Sequence, residues 1–80
     1  MRLHEGMIGN VYRVKSVMAD EKLTRRLEAL GVNEGTDVTI INKKGSGTLA
    51  IKVRGTRLAL GRQIAAGIEI EAGEDKHGRE

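Results

Sequence analysis

Eleven glycines and no proline stand in this 80-residue chain, and nearly every glycine falls between short apolar stretches rather than within one. Glycine enters tight turns without steric cost, so this spacing cuts the chain into short segments joined by turns. Over Thr48 to Val53, Leu49, Ile51 and Val53 alternate with Ala50 and Lys52; over 67–71, Ile68 and Ile70 alternate with Glu69 and Glu71. That period of two marks strands with one buried and one wet face. Asp37 to Asn42 and Thr56 to Leu60 read as two more strands, joined to the 48–53 strand by "KKGSG" and "RG" turns, which predicts a three-stranded meander. Residues 9–17, "GNVYRVKSV", are rich in β formers, yet Val11, Val14 and Val17 recur every third residue. A strand can bring them to one face only through a β-bulge.

One segment has the other period. Leu23, Leu27 and Leu30 fall at i, i+4 and i+7, with Asp20 placed to cap the start and Glu21 near the positive end of the helix dipole. This predicts a helix over about 20–30 whose three leucines hold it to the rest of the molecule. Glu21 can pair with Arg25 one turn on. Gly31 suits the left-handed position after the helix, and Val32 can close back on Leu27, as in a Schellman motif. "LGRQIAAG" predicts a short helical turn before the last strand, and "AGEDKHGRE" holds too little apolar surface to be ordered. The expected architecture is mainly β: a small, strongly bent antiparallel barrel of about five strands, with the helix across one opening, a single domain over 1–72 and a disordered tail over 73–80.

The core of such a barrel must be aliphatic, because Tyr12 is the only aromatic residue. A chain this short buries about 60% of the surface it exposes when unfolded, so a deep cavity is not expected. With no cysteine there is neither a disulfide nor a thiolate, which fits a reducing cytoplasm. No apolar run approaches the roughly 18 residues of a membrane span, so the chain reads as soluble, without membrane insertion.

Chemistry-bearing residues are sparse. The two histidines lie near opposite ends, the two serines, Ser16 and Ser46, sit in no nucleophile context, and "KKGSG" joins two strands where a phosphate loop would join a strand to a helix. No nucleophile, base and orienter can be assembled, so an enzyme is not expected. Glu69 and Glu71 share one face of a strand, and His4 with Glu5 offers further ligand types. Alternating glutamates fit a solvated strand face better than a metal site, and neither a metal nor another cofactor is assigned. The formal charge is +3, with residues 1–73 carrying +4, a mild excess that favours an acidic partner. Lys43, Lys44, Lys52, Arg54, Arg57 and Arg62 suggest a rival reading, a small-barrel nucleic-acid module. Such barrels stack bases on aromatic side chains, however, and this one has only Tyr12 to offer. The helix supplies another charged patch in Lys22, Arg25 and Arg26.

Taken in order, "L3-x-x-G6-x-x-G9", "RLEALGVNEGTDV" and "IKVRGTRLALGRQIAAGIEIE" resemble the FeoA family, ferrous iron transport protein A and its relatives, from Leu3 to Glu71. The most specific run is Arg26-Leu27, Leu30-Gly31 and Gly35, continued by Val53-x-Gly55, Leu58-Ala59-Leu60 and Ala65, and ending at Ile68 and Ile70. The resemblance implies an SH3-like barrel with an inserted helix, cytoplasmic, acting as an accessory or regulatory partner of a FeoB-type membrane GTPase. Family members often carry proline in the hairpin that here reads Lys43-Lys44-Gly45-Ser46-Gly47, so a looser loop is expected. On this reading Lys22, Arg25 and Arg26 form the partner-binding face, no nucleic acid is expected, and weak self-association through a strand edge is left open.

Overall fold

The computed structural model describes residues 1–73; of the predicted tail over 73–80, all but Gly73 lies outside the described residues. A short 3-10 turn at Leu3–Glu5 precedes strand β1 (Val11–Val17), helix α1 (Glu21–Ala29), strands β2 (Asp37–Lys43), β3 (Leu49–Val53) and β4 (Thr56–Leu60), helix α2 (Arg62–Ala66) and strand β5 (Ile68–Ala72). The five strands form one antiparallel sheet in the order β4-β3-β2-β1-β5. The meander of β2, β3 and β4 stands as the sequence predicts.

Pleat alternation delivers one buried set from every strand: Tyr12 and Val14, Val38 and Ile40, Leu49, Ile51 and Val53, Leu60, and Ile68 and Ile70. Leu3, Leu27, Val32 and Ala65 come in from the turns and helices to complete the core. The partners confirm the register, since Tyr12 lies opposite Val38, Ile40 opposite Ile51, Leu49 opposite Leu60 and Val14 opposite Ile70. On the outer side Arg13 lies opposite both Asp37 and Glu71, with its guanidinium 3.6 Å and 4.0 Å from their carboxylates.

Two register shifts bend the sheet. One falls between Val14 and Ser16 in the β1–β5 pairing, so the inward-facing Val14 is followed by Val17 opposite the buried Ile68. The predicted bulge is therefore present, but it gathers only two of the three valines, because Val11 faces outward at 39% exposure. The second shift, between Ile40 and Asn42 in β2, makes Ile41 the extra residue. Val53 and Thr56 close the β3–β4 hairpin around Arg54 (φ 53°) and Gly55 (φ 79°). Positive φ at both central residues is the two-residue turn whose twist matches that of its strands.

Where the chain enters β1, Gly6 is fully enclosed, and a side chain there would collide with Ile40 and with the Tyr12 ring. The Tyr12 hydroxyl accepts a hydrogen bond from the Met7 backbone N–H at 2.8 Å and another from Asn10 Nδ2 at 3.4 Å. The edge of β5 is partly covered by the N-terminus, because Ile70 N–H donates to the Met1 carbonyl at 2.7 Å and Arg2 bridges to Glu69. Gly73 N–H donates to the Val11 carbonyl at 3.1 Å, which ties the last described residue to β1.

Candidate partner-binding surface

Helix α1 starts and stops by the chemistry its sequence encodes. Asp20 is the N-cap, its carboxylate accepting from Leu23 N–H at 2.8 Å, which satisfies one of the orphan donors of the first turn. At the other end Gly31 takes φ 101°. Its N–H donates to the Glu28 carbonyl at 3.0 Å, and Val32 N–H donates to the Leu27 carbonyl at 2.8 Å. Those two bonds are the Schellman pair.

The helix is held by fewer leucines than its spacing predicts. Leu27 is buried and Leu23 packs half-buried against the core, but Leu30 is 43% exposed. Leu30 is the C-cap, where the chain leaves the helical path towards Gly31; the inward place it would have taken is filled by the fully buried Val32.

Lys22, Arg25 and Arg26 are all exposed. They stand at i, i+3 and i+4, the spacing that makes neighbours on a helix surface, so the fold brings the three predicted residues onto one flank. Glu21, Thr24 and Glu28 line the other flank, and Thr24 and Glu28 border an open depression of about 420 Å³ together with Val17, Val32, Asn33 and Glu34. Arg25 Nη2 meets Glu21 Oε2 at 2.7 Å, with both side chains largely in water. Such a pair contributes only about 0.3–0.5 kcal/mol, so it orients Arg25 without consuming its charge. Arg54 adds a cation near this end: its methylenes pass close over Gly31, beside the carbonyl-rich terminus of α1, where a positive charge is favoured.

The other cations the sequence groups together are not on one side. Lys52 and Arg57 face each other across β3 and β4 on the outer surface, Arg54 sits in the β3–β4 turn, and Lys43, Lys44 and Arg62 lie at the opposite end of the strands. Tyr12, the residue a base would need to stack on, is 6% exposed and belongs to the core. Of the carboxylates considered as ligands, Glu69 Oε2 lies 3.2 Å from the Met1 ammonium and Oε1 3.5 Å from Arg2 Nε, Glu71 faces Arg13, and Glu5 accepts from the Arg2 N–H at 2.7 Å. The hydrogen bond from the terminal ammonium, and next its charge, hold the Glu69 carboxyl below the usual carboxylate range, with Arg2 and Lys15 adding to the effect. Among the described residues no three histidine, aspartate or glutamate side chains gather as a metal-binding group, and no helix is long and apolar enough to cross a membrane.

A family model for the FeoA domain matches residues 1–72. Among solved structures, the FeoA protein of Chlorobium tepidum is 30% identical, with a TM-score of 0.84 over 96% of this chain and 76% of that one. The FeoA of Stenotrophomonas maltophilia, determined with zinc and described as a prokaryotic SH3 domain protein, is also 30% identical, with a TM-score of 0.76 over 89% of each chain. A manganese-activated repressor, ScaR, shares the fold at 23% identity and a TM-score of 0.79, over 90% of this chain and 35% of that one. No match was found among curated proteins.

Proposed function

Because the chain belongs to the FeoA family, small accessory domains associated with ferrous iron transport, we propose that it docks on the cytosolic part of a FeoB-type membrane GTPase and regulates it through protein contacts. The protein is not an enzyme on this reading, and it acts in the cytoplasm. The observation that carries the proposal is the division of labour along α1. Leu27 and Leu23 anchor one side, while Lys22, Arg25 and Arg26 project together from an exposed flank. A cationic flank on a rigidly capped helix suits an acidic protein surface, where charge complementarity raises the rate and selectivity of encounter.

The test is calorimetric titration of the transporter's cytosolic part with the wild-type chain and with R25E/R26E. The reversal should lower Tm by only a few degrees, the cost of losing the Arg25–Glu21 pair and setting like charges beside it, and should weaken binding at least tenfold at low salt. Unaltered affinity refutes the assigned flank.

A further inference from the structure

Residues 43–66 contain six cations, Lys43, Lys44, Lys52, Arg54, Arg57 and Arg62, and no carboxylate, so the rest of the chain carries a net −3. Along the chain, then, basic charge is concentrated in one segment. The antiparallel order fixes where those charges go: β1 starts, β2 ends, β3 starts and β4 ends at the same end of the sheet.

Two loops and the start of α2 meet there. The loop before β1 runs beside β2, with Gly9 N–H donating to the Ile40 carbonyl at 2.7 Å and Ile40 N–H donating to that of Asn10 at 3.2 Å. The β2–β3 loop lies against Arg62, since a Cβ on Gly47 would stand 2.9 Å from Arg62 Cβ. Lys43, Lys44 and Arg62 are exposed, and none is within ion-pair distance of a carboxylate among the described residues. Glu5, the acid that precedes Met7 in the loop before β1, is folded back onto the Arg2 N–H. At the same end, Met7 and Ile8 are 66% and 55% exposed. Met1, Val11, Met18 and Leu30 are the other exposed large apolar side chains among the described residues, and Met7 and Ile8 are the two that stand side by side in the sequence.

We infer that this end of the barrel, which carries Met7 and Ile8 together with Lys43, Lys44 and Arg62, rests on an anionic phospholipid surface. A leaflet takes both features at once: cations settle at the depth of the lipid phosphates, and flanking apolar side chains enter the acyl boundary. An acidic protein surface would need an apolar recess beside its carboxylates to do the same, whereas an anionic leaflet supplies both by its construction. Two apolar residues and three cations give weak, reversible attachment, and α1, at the other end of the strands, stays free.

The experiment is flotation of the full chain with vesicles of equal parts phosphatidylglycerol and phosphatidylcholine, against pure phosphatidylcholine. Binding is expected to the anionic vesicles only and to fall with added salt. K43E/K44E should weaken it by at least about thirtyfold, the worth of two basic residues at such a surface, and M7S/I8S by about tenfold. Far-UV melting verifies that both variants are folded. R25E/R26E should bind vesicles nearly as wild type does, which separates this inference from the transporter-docking flank. Absence of binding to anionic vesicles overturns the proposal, as does binding that survives both K43E/K44E and M7S/I8S or falls equally with R25E/R26E. A chain that ignores vesicles but uses Lys43 and Lys44 on the transporter's cytosolic part also overturns it.

Discussion

Leu27 and Leu30 offer a direct test of whether burial or periodicity decides what holds the helix. They are three residues apart, one within α1 and the other at its C-cap, chemically identical, and 2% and 43% exposed. Leu→Ala at a buried site removes the transfer free energy of the deleted atoms and leaves a cavity, together about 2–5 kcal/mol. Leu27 is the one buried residue within the helix, and a surface helix can settle partly into the space, so the lower half of that range, about 2–3 kcal/mol, is expected. The whole domain has on the order of 4–12 kcal/mol, so Leu27→Ala would remove a large fraction of it and lower Tm by about 10–20 °C. Leu30→Ala gives up side-chain surface already half in water and exchanges one good helix former for a better one, so its cost should stay below about 1 kcal/mol. Urea unfolding followed by far-UV circular dichroism reads both, with an unchanged m-value showing that stability rather than the denatured state has moved. Equal losses for the two leucines would refute the burial argument.

Other outcomes follow from the same contacts. Asp20→Ala strips the cap from α1 and should cost about 1 kcal/mol, read by the same denaturation, while Asp20→Asn should be nearly silent. Gly31→Ala places a side chain at φ 101° and should destabilise by about 1–2 kcal/mol; a neutral result would mean the Schellman turn is not held in solution. The Glu69 carboxyl, depressed in the folded state by the terminal ammonium, makes a contribution that is present above the ordinary carboxylate range and lost as pH falls through its lowered value. NMR titration should find its midpoint below that of a free glutamate and return it upward when the amino terminus is acetylated.

The strands were legible because each has one face in water, so alternation could be read directly. The β1 bulge announced itself in the three-residue spacing of its valines, whereas the β2 bulge did not: Ile40 and Ile41 are adjacent and identical, and nothing in the pair tells which is surplus. Leu30 misled because helical spacing continues in sequence past the point where the backbone turns off at Gly31. The cations near the β2–β3 and β3–β4 turns were visible as a group, but strand direction, which only the pairing reveals, sends them to opposite ends. The flank of α1 could be assembled from spacing alone. Its proposed partner could not, since a solvated lysine looks the same whether or not a partner awaits it.

Tyr12 is the chain's single aromatic residue. A protein with one phenol and no indole absorbs weakly at the wavelength ordinarily used to quantify it, so concentrations need peptide-bond absorbance or amino-acid analysis. In return, its near-ultraviolet spectrum has a single origin. The ring is enclosed and its hydroxyl held by the loop at Met7, so optical asymmetry there reports the state of the barrel interior, while the backbone signal reports α1 as well. Divergence of the two on heating would time the release of the helix separately from the collapse of the sheet.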